Sequence, residues 1–233
     1  VGLHTFVDPR RDGGKINARS TEDYVSVTEV HGKEYLQYKT FPIHVAFLRG
    51  TTADTLGNIS VEHEALTLES MAIAMATRNS GGKVIVQVAR LVEHGEIKPK
   101  DVRIPGILVD HVVVAEQPEY HQQTFLEQYN PAFAGETRVE LDALPPMAMS
   151  ARKIIARRAA FELTPGAIVN LGIGMPEGVA AIAAEEGLSD AITLTAEPGV
   201  IGGIPQGGLN FGAAVNQDLS LIHISEPTRP ERI

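Results

Sequence analysis

The stretch ITLTAEPGVIGGIPQGG, residues 192–208, joins a short apolar strand to a turn rich in glycine and proline. The strand is predicted over 192–195, and Glu197 follows it within Glu-Pro-Gly, ahead of Gly202 and Gly203. Glycine lets backbone N–H groups approach a ligand closely and proline fixes the chain direction, so the pattern suits a carboxylate that a bulky partner must reach. A glutamate in an exposed turn is the alternative, and spacing alone leaves both open.

A second glycine loop lies upstream, after another predicted strand over 167–171. Gly172-Ile173-Gly174-Met175-Pro176 follows this strand, and a helix is predicted over 177–186. A strand, Gly-x-Gly and a helix together present backbone donors and a positive helix end to an anion. The order is not the dinucleotide fingerprint, since Glu177 occupies the place of the third glycine. In α/β units ligands bind beyond the carboxyl ends of the strands, so the two loops together predict one binding site. For either loop taken alone, a tight turn between strand and helix is a sufficient explanation of its glycines.

The remaining pattern predicts an α/β protein throughout. A hairpin is expected over 24–38, with its turn at His31-Gly32-Lys33. A helix is expected over 64–79 with Leu68, Met71, Ala72 and Met75 on its apolar face and both methionines in the core. The other predicted elements are strands over 43–48, 83–89 and 107–115, the last two of the type buried on both faces of a sheet, and a helix over 151–163 capped by Ser150.

The sequence context of the charged residues outside the glycine loops predicts structural roles for them. Asp8 and Asp54 lie in turn sequences, where a carboxylate bonds backbone groups. The basic residues of the helix over 151–163 are expected to form a solvated face, although one of them could bind a phosphate group of a ligand. The histidines show no metal-binding spacing, because His63-Glu64 has no second histidine four residues on.

Four separated motifs resemble one family. VNLGIGMPEGVA (169–180) and LTAEPGVIGGIPQGG (194–208) resemble the start of the second domain of a family I CoA-transferase. GLHTFVDPRRDGGKIN (2–17) and LRGTTADTLGNIS (48–60) resemble the first domain of its acetate/propionate branch. The resemblance runs in order over roughly 1–218 and implies two open-sheet α/β domains.

The resemblance also implies a function, which is CoA transfer between a short-chain acyl-CoA and a free carboxylic acid. Glu197 matches the family's nucleophile, which passes through a glutamyl-CoA thioester. No metal or redox cofactor is implied, and CoA is a substrate. The acyl groups stay open. The positions expected to bind CoA or substrate are Asn170, Gly172, Ile173, Gly174, Gly199, Gly202 and Gly203.

The domain organisation follows from the same resemblance. Residues 1–146 are expected to be the C-terminal part of the first domain plus a proline-rich crossover or linker from 116, and 147–218 the N-terminal part of the second. Both domains would be incomplete, and the intact protein is expected to be a homo-oligomer. LSLIHISEPTR at 219–229 resembles the translated end of a transposon used in sequencing libraries. We therefore expect 219–233 to be a non-native tail, with a divergent native tail as the alternative.

The amino-acid composition argues against two classes of partner, nucleic acids and membranes. The net charge of −9 argues against nucleic acid, whose binders neutralise phosphates with Lys and Arg. No stretch of ~18 apolar residues is present, so no membrane partner is expected. The absence of cysteine excludes thiol chemistry and fits a reducing compartment, with the cytoplasm as the default.

Two other functions stay open on the residues alone. One is a sugar-phosphate isomerase or deaminase of the same broad fold, in which glycine loops hold phosphate and a carboxylate moves a proton. The other is a ligand-binding module without catalysis. A further possibility is that the 233-residue chain is inactive, because it would lack about half of each domain.

Overall fold

The computed structural model describes residues 2–140, 146–172, 174–196 and 199–220. Two predicted site residues, Glu197 and Ile173, lie outside the described residues, as does most of the predicted tail. The chain divides into two compact units, Val1–Ile43 and His44–Ile233. The predicted domain boundary between residues 146 and 147 stays a prediction.

The first unit contains the predicted hairpin. Strand β1 (Val25–Val30) pairs antiparallel with β2 (Lys33–Tyr38), and Val30 faces Lys33 next to the turn. The turn residues His31 and Gly32 have φ values of 51° and 75°. A two-residue turn with both φ values positive matches the twist of paired strands, so the hairpin prediction is confirmed.

The loop before the hairpin is organised around Asp8. Its buried carboxylate accepts hydrogen bonds from the backbone N–H groups of His4 and Arg10 and from the Arg10 guanidinium. Arg10 also donates to both carboxylate oxygens of Glu34. The Arg10 hydrogen bond is the main cause that holds the pKa of Asp8 well below its ordinary value. The structural role predicted for Asp8 is confirmed.

The second unit is a mixed α/β structure with several small sheets, which confirms the predicted class. Its sheets have the strand orders β3-β6-β8, β5-β4-β7, β14-β11-β10-β9 and β12-β13. Its helices are α1 (Ser70–Asn79), α2 (Ala151–Ala160) and α3 (Glu177–Glu185). Its strands are β3 (Val45–Arg49), β4 (Thr52–Asp54), β5 (Ile59–Ser60), β6 (Lys83–Val88), β7 (Arg90–Val92), β8 (His111–Val114), β9 (Ile168–Asn170), β10 (Thr193–Ala196), β11 (Val200–Ile201), β12 (Ile204–Pro205), β13 (Ala214–Val215) and β14 (Leu219–Ser220).

The sheet β3-β6-β8 is parallel and buries one face. Val84, Val86 and Val88 of β6 are fully buried in a core that also contains Ala74 of α1. The intervening side chains point to the other face, where Phe47 is 80% exposed. The prediction that β6 and β8 are buried on both faces is therefore wrong for this chain.

Helix α1 begins later than the sequence pattern predicted. Leu68 has a φ of 49°, a left-handed conformation that cannot continue a helix, and α1 starts at Ser70. The buried residues of α1 are Ala74 and Thr77, and Met75 is 50% exposed. The prediction that both methionines lie in the core is wrong, because the face of α1 that packs on the strands is formed by the smaller side chains of Ala74 and Thr77.

A turn around Asp54 supports the sheet β5-β4-β7. The buried Asp54 carboxylate accepts hydrogen bonds from the backbone N–H groups of Leu56 and Asn58 and from the Asn58 amide. His94 lies 3.0 Å from the same carboxylate. Burial alone would raise the pKa of Asp54, but the hydrogen bonds outweigh it and lower the pKa to about 2. The predicted structural role of Asp54 is confirmed.

The segment predicted as a linker takes part in the core. Ala132 and Phe133 pack with buried residues of α3, β10 and β12. Asn216 accepts a hydrogen bond from the N–H of Val139 and donates one to its carbonyl oxygen. The described part of the linker, residues 116–140, is therefore a packed crossover.

The first two residues of the predicted tail form strand β14. Their backbone pairs antiparallel with β11, with Ile201 opposite Leu219. Residues 221–233 lie outside the described residues, and the origin of the tail stays a prediction. None of the helices in the described ranges has the length and hydrophobicity needed to span a membrane.

A half-buried carboxylate in this unit, that of Glu64, predicts a pH dependence of stability. Glu64 accepts a hydrogen bond of 2.6 Å from Arg49 Nε, and its other oxygen lies 3.2 Å from His121 Nε2. Burial alone would raise the pKa of Glu64, but the hydrogen bonds of His121 and Arg49 outweigh it and lower the pKa from 4.5. The stability that this carboxylate contributes is thus complete above pH 4.5 and is lost as the pH falls through the lower folded-state pKa.

We expect Glu64→Gln to reduce the loss of unfolding free energy between pH 5 and pH 3, roughly the range over which a carboxylate titrates. Urea unfolding at several pH values measures the effect. Glu119→Gln is the matched control, because Glu119 is exposed and lies in the crossover that supplies His121. An equal pH dependence in wild type and Glu64→Gln would contradict the prediction.

Candidate active site

The two glycine loops start at the same edge of one sheet. Strands β9 and β10 are parallel neighbours, and Thr195 is in register with Asn170. Gly172 comes two residues after the end of β9, and Glu197 directly follows the last residue of β10 in the sequence. The carboxyl ends of both strands therefore face the edge at which α/β proteins bind ligands.

The loop after β9 leaves space beside Gly172 and Gly174 as far as the described residues are concerned. Gly174 has a φ of 88°, and no described residue would lie within 4 Å of a Cβ atom added to it. Among the described residues, a Cβ atom on Gly172 would contact Pro176 Cγ, at 3.9 Å. The predicted role of these glycines in binding CoA stays a prediction.

Helix α2 holds this loop in place. Arg152 Nη2 donates to the carbonyl oxygen of Gly174 at 2.6 Å and to Glu177 Oε2 at 3.1 Å. Glu177 lies in the first turn of α3, where a negative charge interacts favourably with the helix dipole. One arginine thus ties the glycine loop and the start of α3 to α2.

The basic face of α2 is largely engaged with α3. Lys153 Nζ pairs with Glu185 at 2.7 Å, and Arg157 pairs with Glu186. Lys153 is buried, so the prediction of a solvated basic face is wrong at this position. The reason is the neighbouring helix α3, whose glutamates pair with α2 and could not be inferred from the spacing within α2.

The glycines after β10 have a structural explanation of their own. Gly199, Gly202 and Gly203 have φ values of 100°, 74° and 69°. A Cβ atom on Gly202 would overlap the Asp218 carboxylate, and one on Gly203 would overlap the carbonyl oxygen of Val215. Gly202 and Gly203 allow this close approach of two chain segments, and their predicted role in binding CoA stays a prediction.

An apolar pocket opens at the carboxyl edge of β9 and β10. The space in it that a water-sized molecule can reach is about 30 Å³. Gly172 is the predicted site residue that lines it, whereas Gly202 and Gly203 line a separate, more polar pocket with Arg138 and Asp190. The apolar pocket is lined by Leu171, Gly172, Glu177, Ala180, Ala196, Pro205, Gln206, Phe211, Gly212 and Ala213.

Sequence reasoning missed Glu177, Gln206 and Phe211 as lining residues. Two of them carried a signal in the sequence. Phe211 begins the segment FGAAVN, and Glu177 occupies the position at which a dinucleotide-binding motif has its third glycine. Within the described ranges, no group of three or more His, Asp or Glu side chains is arranged to hold a metal ion.

Comparison with known proteins agrees with these features. The model of the coenzyme A transferase family matches residues 1–115. Caffeate CoA-transferase of Acetobacterium woodii is 51% identical over 223 residues, which cover 96% of this chain and 43% of that protein. Acetate CoA-transferase YdiF of Escherichia coli O157:H7 is 42% identical over 216 residues, which cover 93% of this chain and 40% of that protein. The chain thus spans less than half the length of these relatives.

Solved structures agree as well. The acyl-CoA transferase YdiF of E. coli O157:H7, in its thioester complex with CoA, superimposes with a TM-score of 0.81 at 39% identity. The match covers 95% of this chain and 42% of that one. The chain therefore belongs to the coenzyme A transferase family. Within family I it falls in the acetate-type branch, which confirms the resemblance of the four motifs.

Proposed function

We propose that the protein transfers CoA between a short-chain acyl-CoA and a free carboxylic acid. The observation that carries the proposal is identity of 42–51% to named CoA-transferases along nearly the whole chain. Glu197 directly follows β10 in the sequence, and β10 is the parallel neighbour of β9, which Gly172 and Gly174 follow, so the strand order adds support.

In the proposed reaction Glu197 is a covalent nucleophile. Its carboxylate attacks the thioester carbonyl, which gives a mixed acyl anhydride and releases CoA as the thiolate. The thiolate attacks the glutamyl carbonyl of the anhydride, which leaves a glutamyl-CoA thioester and the first free acid. An incoming carboxylate then reverses both steps and carries CoA away. Covalent catalysis divides one difficult exchange into easier steps.

The glycine loops supply the surroundings that this chemistry needs. Each attack places negative charge on a carbonyl oxygen, and backbone N–H groups aimed at that oxygen stabilise it. Gly174 and Gly199 are the positions we assign to this close approach, together with Ile173 of the same loop. The open backbone beside Gly172 and Gly174 supports the assignment.

The substrates in this proposal are acyl-CoA and small carboxylic acids. CoA enters and leaves as a substrate, and the chemistry requires no resident cofactor. The isomerase and binding-module alternatives gain no support, since the similar curated proteins are named as CoA-transferases. The expected homo-oligomer stays a prediction.

Exchange of labelled acetate into acetyl-CoA tests the proposal. We expect a full-length transferase that carries this sequence to incorporate ¹⁴C-acetate into acetyl-CoA without any other acid, because the glutamyl-CoA thioester accepts either carboxylate. Acetyl-CoA without added acid is the control for hydrolysis. Absence of exchange with acetyl-, propionyl- and butyryl-CoA would refute the function.

A further inference from the structure

We propose that a polar cleft next to strand β5 binds a phosphate group, and that Arg103 is the residue that holds it. The cleft is lined by Ser60 of β5, by the segment 100–103 and by two residues from later in the chain, Ala134 and Gln217. It shares no lining residue with the apolar pocket at the edge of β9 and β10. The proposal therefore concerns a second binding site and does not depend on the transfer of CoA.

Arg103 is a half-buried cation without a counter-charge. Among the described residues, three lysine or arginine residues are buried or half-buried, namely Arg49, Arg103 and Lys153. Arg49 pairs with Glu64, and Lys153 pairs with Glu185. The Arg103 side chain has no hydrogen bond or ion pair with any described residue, and its Nε atom is fully buried without a partner. This guanidinium has lost water without gaining an acceptor, so an anion that reaches its outer nitrogens stabilises it.

Two carboxylates that line the cleft are already paired with arginines outside it. Glu62 pairs with Arg90 at 2.9 Å, and Glu64 pairs with Arg49 at 2.6 Å. Neither of these arginines lines the cleft. Their charges offset those of the two glutamates, so neither glutamate serves Arg103 as a partner or opposes an anion with a full charge.

The charges of the cleft that remain without a partner are mainly positive. They belong to Lys100, Asp101 and Arg103, and none of the three has an ion pair with a described residue. The space in the cleft that a water-sized molecule can reach is about 320 Å³, whereas one water molecule occupies ~30 Å³ in the liquid. The cleft thus has the room for a small anion and an excess of one positive charge to attract it.

The donors of the cleft fit a phosphate group better than a carboxylate. The guanidinium of Arg103 offers a planar fork that binds two oxygens at once, and the ammonium of Lys100 adds a point charge. Thr67, which lies on a different segment, adds a hydroxyl-bearing side chain to the lining. A phosphate group has oxygens that point in several directions, so it can meet donors from three residues, whereas a carboxylate has two oxygens in one plane. Inorganic phosphate and phosphate esters share this chemistry.

Calorimetric titration of sodium phosphate into a full-length transferase that carries this sequence, in a chloride buffer, tests the site. We expect Arg103→Met to weaken phosphate binding about 10–100-fold, the factor that corresponds to the loss of hydrogen bonds between charged groups. Lys100→Met should weaken binding to a smaller extent. Arg11→Met is the matched control, because Arg11 also has no ion pair with a described residue but is exposed and lies outside the cleft. Absence of binding to the wild type, or equal binding to Arg103→Met, would overturn the proposal.

The stability of Arg103→Met without phosphate separates a ligand site from a structural ion pair. Methionine keeps much of the apolar stem of the arginine side chain and removes its charge. If Arg103 is a ligand site, removal of a half-buried charge that has no partner should leave the midpoint of urea unfolding unchanged or raise it. If a carboxylate elsewhere in the full-length protein pairs with Arg103, the variant lowers this midpoint, and the proposal fails.

Two further ligands define the class of anion. Glycerol 3-phosphate that competes with inorganic phosphate would show that the cleft accepts esters, and failure to compete would restrict the phosphate site to the free ion. Sodium acetate should bind at least about tenfold more weakly than phosphate, because it has fewer oxygens to offer. Acetate binding as tight as that of phosphate would overturn the assignment to a phosphate group. None of these measurements requires turnover, so their outcome is independent of whether the protein transfers CoA.

Discussion

Replacing Glu197 with alanine in a full-length transferase that carries this sequence is expected to lower the rate of CoA transfer by at least about 10⁴-fold. Removal of a covalent nucleophile eliminates the intermediate itself, and such losses exceed those from removing a single stabilising donor. Glu197→Asp should also be strongly impaired, because the shorter side chain withdraws the carboxylate from an attack distance of about 3–3.5 Å. Initial rates of acetyl-CoA and propionate exchange measure both variants.

Trapping of the intermediate identifies the nucleophile directly. Incubation with acetyl-CoA followed by borohydride should reduce the glutamyl thioester, and peptide mapping should place the modification on Glu197. Glu186→Gln, at an exposed glutamate of the same half of the chain, should be labelled like the wild type. Modification at any other residue, or full activity of Glu197→Ala, would contradict the assignment.

The sequence predicted correctly those elements that depend on interactions between residues close together in the chain. The turn His31-Gly32 needs two positive φ values, and its residues tolerate them, so the hairpin could be placed from sequence. The capped start of α2 at Ser150 was also predictable, since Ser150 Oγ accepts from the N–H of Lys153. These features depend on residues a few positions apart.

Helix packing was predicted less well, because periodicity finds an apolar stripe without saying which side chains meet the sheet. On α1 the contact with the sheet uses Ala74 and Thr77, whereas Met75 stays exposed. A strand pattern likewise cannot show whether a second layer covers it. Phe47 illustrates this, since it lies in the apolar strand β3 beside the β-branched residues of β6, a pattern typical of a buried sheet, yet its side chain is 80% exposed.

The sheet edge at which the candidate site lies could be predicted from the sequence, but the side-chain contacts at that edge could not. Parallel strands bring their carboxyl ends together, so the loops after β9 and β10 could be joined from sequence. The ion pair of Arg152 with Glu177 spans 25 residues, and no local pattern links them. Sequence also could not separate glycines that open space from glycines that allow two chain segments to approach each other.

That difference between glycines yields a strong prediction. Gly203→Ala is expected to lower the free energy of unfolding by about 2–6 kcal/mol, because a left-handed non-glycine residue costs ~1–3 kcal/mol and steric overlap a similar amount. The added Cβ would overlap the backbone carbonyl of Val215, which cannot rotate away as a side chain can. Urea unfolding of a full-length transferase that carries this sequence measures the loss.

Gly172→Ala is the matched variant, because it adds the same methyl group in the loop after β9, a strand of the same sheet as β11. Among the described residues its Cβ would contact Pro176 Cγ, at 3.9 Å, so stability should stay unchanged or rise by about 0.4–1 kcal/mol. If CoA or its thioester passes beside this backbone, the transfer rate should still fall roughly 10–100-fold, as expected when a reacting group is displaced by about 1 Å. A folded and fully active Gly172→Ala variant would remove this loop from the site, and a stable Gly203→Ala variant would contradict the close approach of the two segments.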